Sequence, residues 1–379
     1  MELNSIREHI DSIDKELTRL LVERMDTVGE VARSKKATGK AIRDRARERN
    51  ILNHVTEQAG DTYAPYIKDI YKLIMEMSRS YQATLLGNSP ELAARLEAAC
   101  ADYSGKRMPN RALVACQGTE GAYAQQACEK LFEYPDILYF DSFDDVFNAV
   151  EKGMCEYGIL PIENSTAGSV TQVYDLMEKH SFHIAGAYKL RIDHRLMRRR
   201  GATGPIREIV SHEQALRQCS NFFAAHPEYK AVPMTNTAVA AEFAATTDRD
   251  DVAVIAAKPC AELYDLKVID DSVSNSHSNY TRFICISRSL EVYPDARKIS
   301  IMFNLPHEPG SLNAIISRLA LAGVNLTKLE SRPIPGREFE FRFFFDLEAD
   351  LHRPEIVQLI CELENRTEHF VFLGAYEER

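Results

Sequence analysis

Charged and amide side chains recur at helical spacing through the first 88 residues, and their types suit the binding of a dianion. At about 100° per residue, Arg24 and Lys35 are eleven positions apart and point within about 20° of each other. Asp44 and Glu48 form an i,i+4 pair with Arg47 beside them, and Ser78 and Gln82 form another. Arg7 lies seventeen positions before Arg24, about 260° away, and points elsewhere. A guanidinium fork grips a carboxylate bidentately, while ammonium and amide groups donate to single oxygens. Three helices that each carry a polar pair inside an apolar pattern are able to build such a pocket. The alternative is three solvated faces with intrahelical ion pairs.

A second set of polar, small residues falls where strands hand over to helices. These are Gln117-Gly-Thr-Glu-Gly-Ala-Tyr123, Pro161-Ile-Glu-Asn-Ser-Thr-Ala-Gly-Ser169, Ser211-His-Glu-Gln214 and Thr235-Asn-Thr-Ala238. In open α/β sheets ligands bind at that edge, where free amides and the helix dipole favour anions. Each cluster taken singly reads equally as an ordinary N-cap. Together, on a scaffold of two lobes, they point to an anion cleft. His180 and His183 form an HxxH with no further ligand cluster nearby, so no metal site is expected.

The elements follow from hydrophobic periodicity. The first helix repeats apolar residues at Leu3, Ile6, Ile10, Ile13, Leu17, Leu20, Leu21, Val28 and Val31, and stops near Thr38-Gly39. A second helix spans 44–59 and ends at Gly60; a third starts near Pro65 and runs to Leu86 before Gly87-Asn88. Some 32 residues make a first helix of about 48 Å, whereas a domain of this size is roughly 30 Å across. The helix overhangs its own domain, and a second copy of the chain is the simplest cover. Residues 89–110 form a connector. From Arg111 strands and helices alternate, which predicts an α/β domain with largely parallel sheets in two lobes. After Pro294 the order is βαββαβ, a ferredoxin-like arrangement, with Glu338-Phe-Glu-Phe-Arg-Phe343 alternating as a one-sided strand.

Global composition narrows the function classes. The chain of 379 residues is 45% hydrophobic and 27% charged, with a net charge of -10, which disfavours nucleic-acid or anionic-membrane binding. Residues 1–88 carry 15 Lys+Arg and 14 Asp+Glu, so positive charge is relatively concentrated there. The first sixteen residues are too charged for a signal peptide, no apolar run spans a membrane, and the eight cysteines include no CxxC pair. A cytosolic protein with reduced thiols is expected. There is no GxGxxG and no GKS or GKT, so no nucleotide cofactor is expected.

The set Arg7, Arg24, Lys35, Asp44, Arg47, Glu48, Ser78 and Gln82, framed by IREHIDSID, LLVERM and IRDRARERN, resembles the active site of the all-helical chorismate mutase family. That resemblance implies an intertwined three-helix dimer over 1–88. Chorismate would be held as a compact chair, Lys35 and Gln82 would donate to the ether oxygen, Glu48 and Asp44 would hold the ring hydroxyl, and Ser78 a carboxylate. Arg7 would reach the neighbouring protomer's site.

Asn279-Tyr-Thr-Arg-Phe-Ile284, with GILPIENS and QGTEGAY, resembles the prephenate dehydratase family over 111–289. The resemblance implies a two-lobed, periplasmic-binding-protein-like fold, an essential Thr281, and a cleft lined by Glu163, Asn164 and Ser165. A threonine hydroxyl is a poor acid, so Thr281 is expected to donate a hydrogen bond or relay a proton. Arg282 either holds a carboxylate or structures its strand, and Phe283 is expected in the core. Ala122 stands where many relatives carry serine. Residues 298–379 resemble the ACT regulatory family, through Glu308-Pro-Gly-Ser-Leu312 and Glu330-Ser-Arg-Pro333. This implies L-phenylalanine bound by Gly310, Ser311, Leu312, Glu330, Ser331 and Arg332, with Ser311 departing from the usual alanine. The three resemblances together imply a bifunctional enzyme turning chorismate through prephenate into phenylpyruvate without cofactor or metal, as a homodimer or larger homo-oligomer. Two other readings compete with this one. A regulatory protein that had lost its chemistry would lack one of Arg24, Lys35, Glu48, Gln82 or Thr281, and none is missing. A mutase fused to a dehydrogenase would need a dinucleotide fingerprint.

Overall fold

A computed structural model describes residues 3–38, 44–86, 89–276, 278–337 and 340–379, with Thr84 described in its backbone alone. Helix α1 is Leu3–Thr38, α2 is Arg45–Leu86 and α3 is Pro90–Asp102. Next come β1 (Arg111–Gln117), α4 (Tyr123–Leu131), β2 (Tyr134–Phe140), α5 (Phe143–Glu151), β3 (Tyr157–Asn164), β4 (Gly168–Ser169), α6 (Thr171–Met177) and β5 (His183–Arg191). They are followed by β6 (His194–Arg199), β7 (Glu208–His212), α7 (Glu213–Gln218), α8 (Ser220–Ala225), β8 (Lys230–Met234), α9 (Thr237–Thr246), β9 (Val252–Ala257), α10 (Pro259–Leu263), β10 (Leu266–Asp270) and β11 (Tyr280–Ser287). The last unit comprises β12 (Lys298–Asn304), α11 (Ser311–Leu321), β13 (Asn325–Pro333), β14 (Phe341–Glu348), α12 (Pro354–Arg366) and β15 (Glu368–Glu378). The described chain divides into two compact bodies, residues 1–97 with 354–368 and residues 98–353 with 369–379.

In the first body the expected second and third helices run as one rod that bends at Gly60 (φ 66°, ψ 164°). Only glycine adopts that backbone readily. Pro65 lies inside the helix five residues beyond the bend. Helix α1 leaves its stripe uncovered within the chain: Leu3 is 62% exposed, Ile13 52% and Leu17 51%, while Gly29 and Ala32 are its buried residues. Gly29 faces Tyr81 and Leu85 of α2, so close packing is confined to the C-terminal half of α1. The expected helix ends at Gly39 and Gly87-Asn88, together with Ile42, Arg43 and Glu338-Phe339, lie outside the described residues.

The second body holds two sheets. One runs β13-β14-β12-β15-β5-β11-β3-β1-β2, with β4 paired to β3, and the other runs β10-β6-β9-β7-β8. These sheets were expected to be largely parallel, and both are mixed. Strands β1, β2 and β3 are parallel, but β11 returns from the far end of the α/β region and inserts antiparallel between β3 and β5. In the smaller sheet β7 runs parallel to β8 and β9, and β6 and β10 are antiparallel additions. The apolar run Val252–Ala257 is buried throughout, as befits a strand covered on both faces. Burying one large side chain contributes about 1.5–3 kcal/mol, and the core beside β3 and β11 contains Leu160, Ile162, Tyr174, Ile184 and Ile284. The C-terminal strands keep the order 2-3-1-4 of a ferredoxin-like sheet and join the large sheet where β15 pairs with β5.

Candidate active sites

Helices α1 and α2 converge on Arg24, Ser78 and Gln82. The Arg24 guanidinium donates to Ser78 Oγ at 2.5 Å, across 54 residues of sequence. Ser78 in turn donates to the Ile74 carbonyl at 2.7 Å, and Gln82 Nε2 donates to the Ser78 carbonyl at 3.2 Å. The Gln82 amide oxygen is buried without a hydrogen-bond partner among the described residues, an acceptor whose desolvation a ligand donor would offset. Asp44 is committed to its own helix: its carboxylate accepts from the Arg47 N–H at 3.0 Å, capping α2 one turn before Glu48. Glu48 is half-buried and salt-bridged to Arg79. Lys35 is half-buried near the end of α1, whereas Arg7 and the Arg47 side chain are exposed. Arg79 went unnoticed in the sequence, although its i,i+3 spacing from Glu76 was there to read.

In the second body, strand pairing sets Asn164 directly against Thr281. Asn164 Nδ2 donates to Thr281 Oγ1 at 2.9 Å and to Asn279 Oδ1 at 2.8 Å. Its Oδ1 accepts from Thr166 Oγ1 at 2.7 Å, Ala167 N at 2.9 Å and Gln218 Nε2 at 3.3 Å. A lone pair of the Thr281 oxygen is thereby used, which keeps its proton for another partner. Gln218 also meets His194 Nε2 at 2.9 Å, and His194 Nδ1 lies 3.0 Å from the Tyr123 hydroxyl. Burial pulls the His194 imidazole below its ordinary range, only partly opposed by Gln218, and burial pushes the Tyr123 phenol well up. A cleft of about 590 Å³ opens beside this network, lined by residues that include Thr166, His212, Arg217, Gln218 and Asn279.

Two of the four polar clusters therefore meet at the cleft. The other two do not line it: Asn236 caps α9 through Val239 N at 2.8 Å, and Gln117 donates to the Asp141 carbonyl at 3.3 Å. Within the expected trio, the structure brings Asn164 to Thr281 and gives Glu163 and Ser165 other partners. Successive strand residues face opposite sides, so Glu163 faces away from Asn164, while Ser165 lies in the turn that follows β3. Glu163 pairs with Lys328 Nζ at 2.8 Å, and Ser165 Oγ accepts from the Tyr280 N–H at 2.9 Å. Gln218 and His194 had no motif to announce them; Asn279 lay unremarked within its own motif.

Arg282 also turns away from the cleft. Its guanidinium contacts Asp346 at 2.5 Å, Glu378 at 2.6 Å and the Tyr376 hydroxyl at 2.7 Å. Burial opposes its charge, but Tyr376, Asp346 and Glu378 raise its pKa above the usual value. Burial likewise works to raise Glu378, yet Arg282, Lys189 and Lys298 hold its carboxyl down at about 2. Of the two roles open to Arg282, the geometry matches the strand anchor. Phe283 is in the core, as expected.

In the C-terminal unit Gly310, at φ 90°, precedes α11 with no side chain capping the helix. Ser311 and Leu312 in its first turn are half-buried. Glu330 accepts from Ser169 Oγ at 2.6 Å, and Arg332 makes a two-pronged bridge to Asp175 at 2.9 and 3.0 Å. Ser331 between them is exposed.

Comparison with known proteins places three family models along the chain: chorismate mutase type II over residues 6–83, prephenate dehydratase over 114–291 and the ACT domain over 299–365. A bifunctional chorismate mutase/prephenate dehydratase from Enterobacter agglomerans is 32% identical over 394 residues, covering 99% of this chain and 95% of the relative. Prephenate dehydratase from Arthrobacter aurescens, solved in complex with L-Phe, aligns with a TM-score of 0.63 at 26% identity over 70% of this chain and 90% of that one. The structure of GqqA, described as a novel type of quorum quenching acylase, aligns with a TM-score of 0.64 at 29% identity over 70% and 98% of the two chains.

Proposed function

The chain belongs to the bifunctional chorismate mutase/prephenate dehydratase family and carries both activities, and from that premise we propose how its residues divide the two reactions. We assign the mutase to residues 1–88, a connector to 89–110, the dehydratase to 111–289 and the ACT unit to 298–379. The mutase step is an intramolecular rearrangement, so holding the substrate and stabilising charge account for the acceleration. Arg24 and Ser78 form the carboxylate grip, which their 2.5 Å contact supports. Lys35 and Gln82 donate to the breaking ether oxygen, and Glu48 takes the ring hydroxyl. Asp44 acts by starting α2 one turn earlier, and Arg47 lies at the mouth. Arg7 serves the site of a second chain. The exposed stripe from Leu3 to Leu20 supports a homodimer that covers it.

In the dehydratase, prephenate occupies the cleft and loses its ring hydroxyl and carbon dioxide. Thr281 donates to the departing hydroxyl, oriented by Asn164, while Arg217 supplies positive charge in the cleft lining. Arg282, Glu163 and Ser165 hold the strands that carry them. L-Phenylalanine is the regulatory ligand. The relative solved with L-Phe supports this, as does the uncapped start of α11 at Gly310, where backbone amides favour a carboxylate. No helix among the described residues is long and apolar enough to cross a membrane, and we place the enzyme in the cytosol. The observation that carries the scheme is the joining of Asn164 to Thr281 across 117 residues, in a body distinct from the one holding Arg24 and Ser78. The test is to give purified protein chorismate with no cofactor and follow both products. Prephenate should appear first and phenylpyruvate after it; absence of phenylpyruvate would refute the dehydratase assignment.

A further inference from the structure

Beyond the residues assigned above, four charged groups continue a chain that starts at Glu48. Glu48 in the first turn of α2 bonds Arg79 near the other end of that helix, across the bend at Gly60. The guanidinium uses one terminal nitrogen for Glu48 and the other for Glu76. Glu76 likewise uses one oxygen for Arg79 and the other for Arg366 of α12. Arg366 then reaches Glu362, whose second oxygen accepts from Ser80 Oγ at 2.8 Å. All five charged side chains are at most 22% exposed, so these are not solvated surface pairs. Two of the links, Glu48–Arg79 and Glu76–Arg366, span 31 and 290 residues, so intrahelical spacing does not produce them.

We propose that Arg79 is a positioning residue of the mutase, holding Glu48 for the substrate hydroxyl, and that Glu76 and Arg366 hold Arg79 in turn. The inference rests on the reading of Glu48 as a mutase residue. A glutamate on an open helix end has three rotatable bonds. Engaging the carboxylate with a planar fork that is fixed at its other prong restricts its orientation. Buried ion pairs of this kind contribute little net stability but fix geometry well, and rearrangement of a bound chair is sensitive to misplacement. Through Arg366, helix α12 sets the orientation of a mutase carboxylate.

The test uses full-length enzyme and reads both activities, with dehydratase turnover of added prephenate reporting that the chain is folded. Arg79→Met should lower mutase kcat about tenfold with KM changed less than threefold, and leave prephenate turnover unaltered. Arg79→Lys, a point charge unable to serve both carboxylates, should recover only part of the loss. Arg366→Met should lower kcat about threefold in the same manner. In a Glu48→Gln background, Arg79→Met should cost less than a further twofold, because it acts through Glu48. The proposal is overturned if Arg79→Met retains wild-type kcat, or if its loss multiplies in full with that of Glu48→Gln. A fully active Glu48→Gln enzyme would instead refute the reading of Glu48 itself, and the proposal with it.

Discussion

The mutase and dehydratase sites solve similar binding problems with opposite materials. The proposed helical site is built from ions: Arg24, Lys35, Glu48 and Arg79 stand on two helices that are largely unburied along their length. The network beside the cleft is built from neutral amides and hydroxyls, with Asn164, Asn279 and Thr281 each less than a tenth exposed and with Asn164 and Thr281 held by paired strands. A two-helix scaffold leaves room for solvated charges but lacks a low-dielectric wall, which is where the proposed second chain and the ion chain would fix geometry. A sheet supplies the wall and the register, so short neutral side chains suffice. The two sites should therefore fail differently.

The largest difference should come from Thr281→Ala. We expect phenylpyruvate formation to fall by at least about 100-fold, the scale for losing one oriented donor, with mutase turnover within threefold of wild type. Loss of both activities in a folded variant would mean one shared site. Next comes Asn164→Ala, which strands buried partners at about 1–3 kcal/mol each. It should abolish dehydratase activity and lower the melting temperature by several degrees, whereas an unchanged melting temperature would deny the network a structural role.

The helical site should instead be sensitive to assembly. Mixed and exchanged dimers of Arg7→Ala and Lys35→Ala chains should regain mutase activity, since one hybrid site keeps both residues; mixtures as inactive as the parents would place Arg7 within its own site. A smaller effect is expected at the regulatory segment. Glu330→Gln should weaken inhibition by L-phenylalanine several-fold, and an intact enzyme indifferent to millimolar phenylalanine, with no shift in melting temperature, would leave the ACT unit a structural module.

The smallest effect concerns pH. His194 and His212 both have pKa values lowered by burial. Protons then bind the unfolded chain more readily, so stability should fall as pH drops through about 6.5, the unfolded histidine value. His194→Gln should flatten the melting-temperature profile between pH 7.5 and 5.5. An equally steep profile in the variant would remove His194 as a contributor.

Much of this architecture was legible because it follows from local pattern. Gly60 and Pro65 marked a break that became a bend, and the βαββαβ order read directly from alternating periods. What escaped was tertiary. Strand β6, with the polar run His194–Arg199, has no alternation to betray it, and the insertion of β11 between β3 and β5 decides the mixed sheet without any local signal. At the sites, motif residues such as Asn164, Thr281, Arg24 and Ser78 could be named from sequence. Gln218, His194 and Arg366 could not, because each acquires its role from a partner between 24 and 290 residues away. Motif membership alone does not separate the trio: pairing of β3 with β11 brings Asn164 to Thr281, Glu163 faces the other way toward Lys328, and Ser165 falls in the turn beyond the strand.

The separation of the two sites is tested most directly by complementation. Lys35→Ala and Thr281→Ala chains are given chorismate, first alone and then together, while phenylpyruvate is followed. Neither chain alone should produce it above a few per cent of the wild-type rate, and the mixture should, as prephenate released by the Thr281→Ala chain is consumed by the Lys35→Ala chain. Phenylpyruvate from the Thr281→Ala chain alone, or a Thr281→Ala chain that is folded yet releases no prephenate, would contradict two separate sites on one polypeptide.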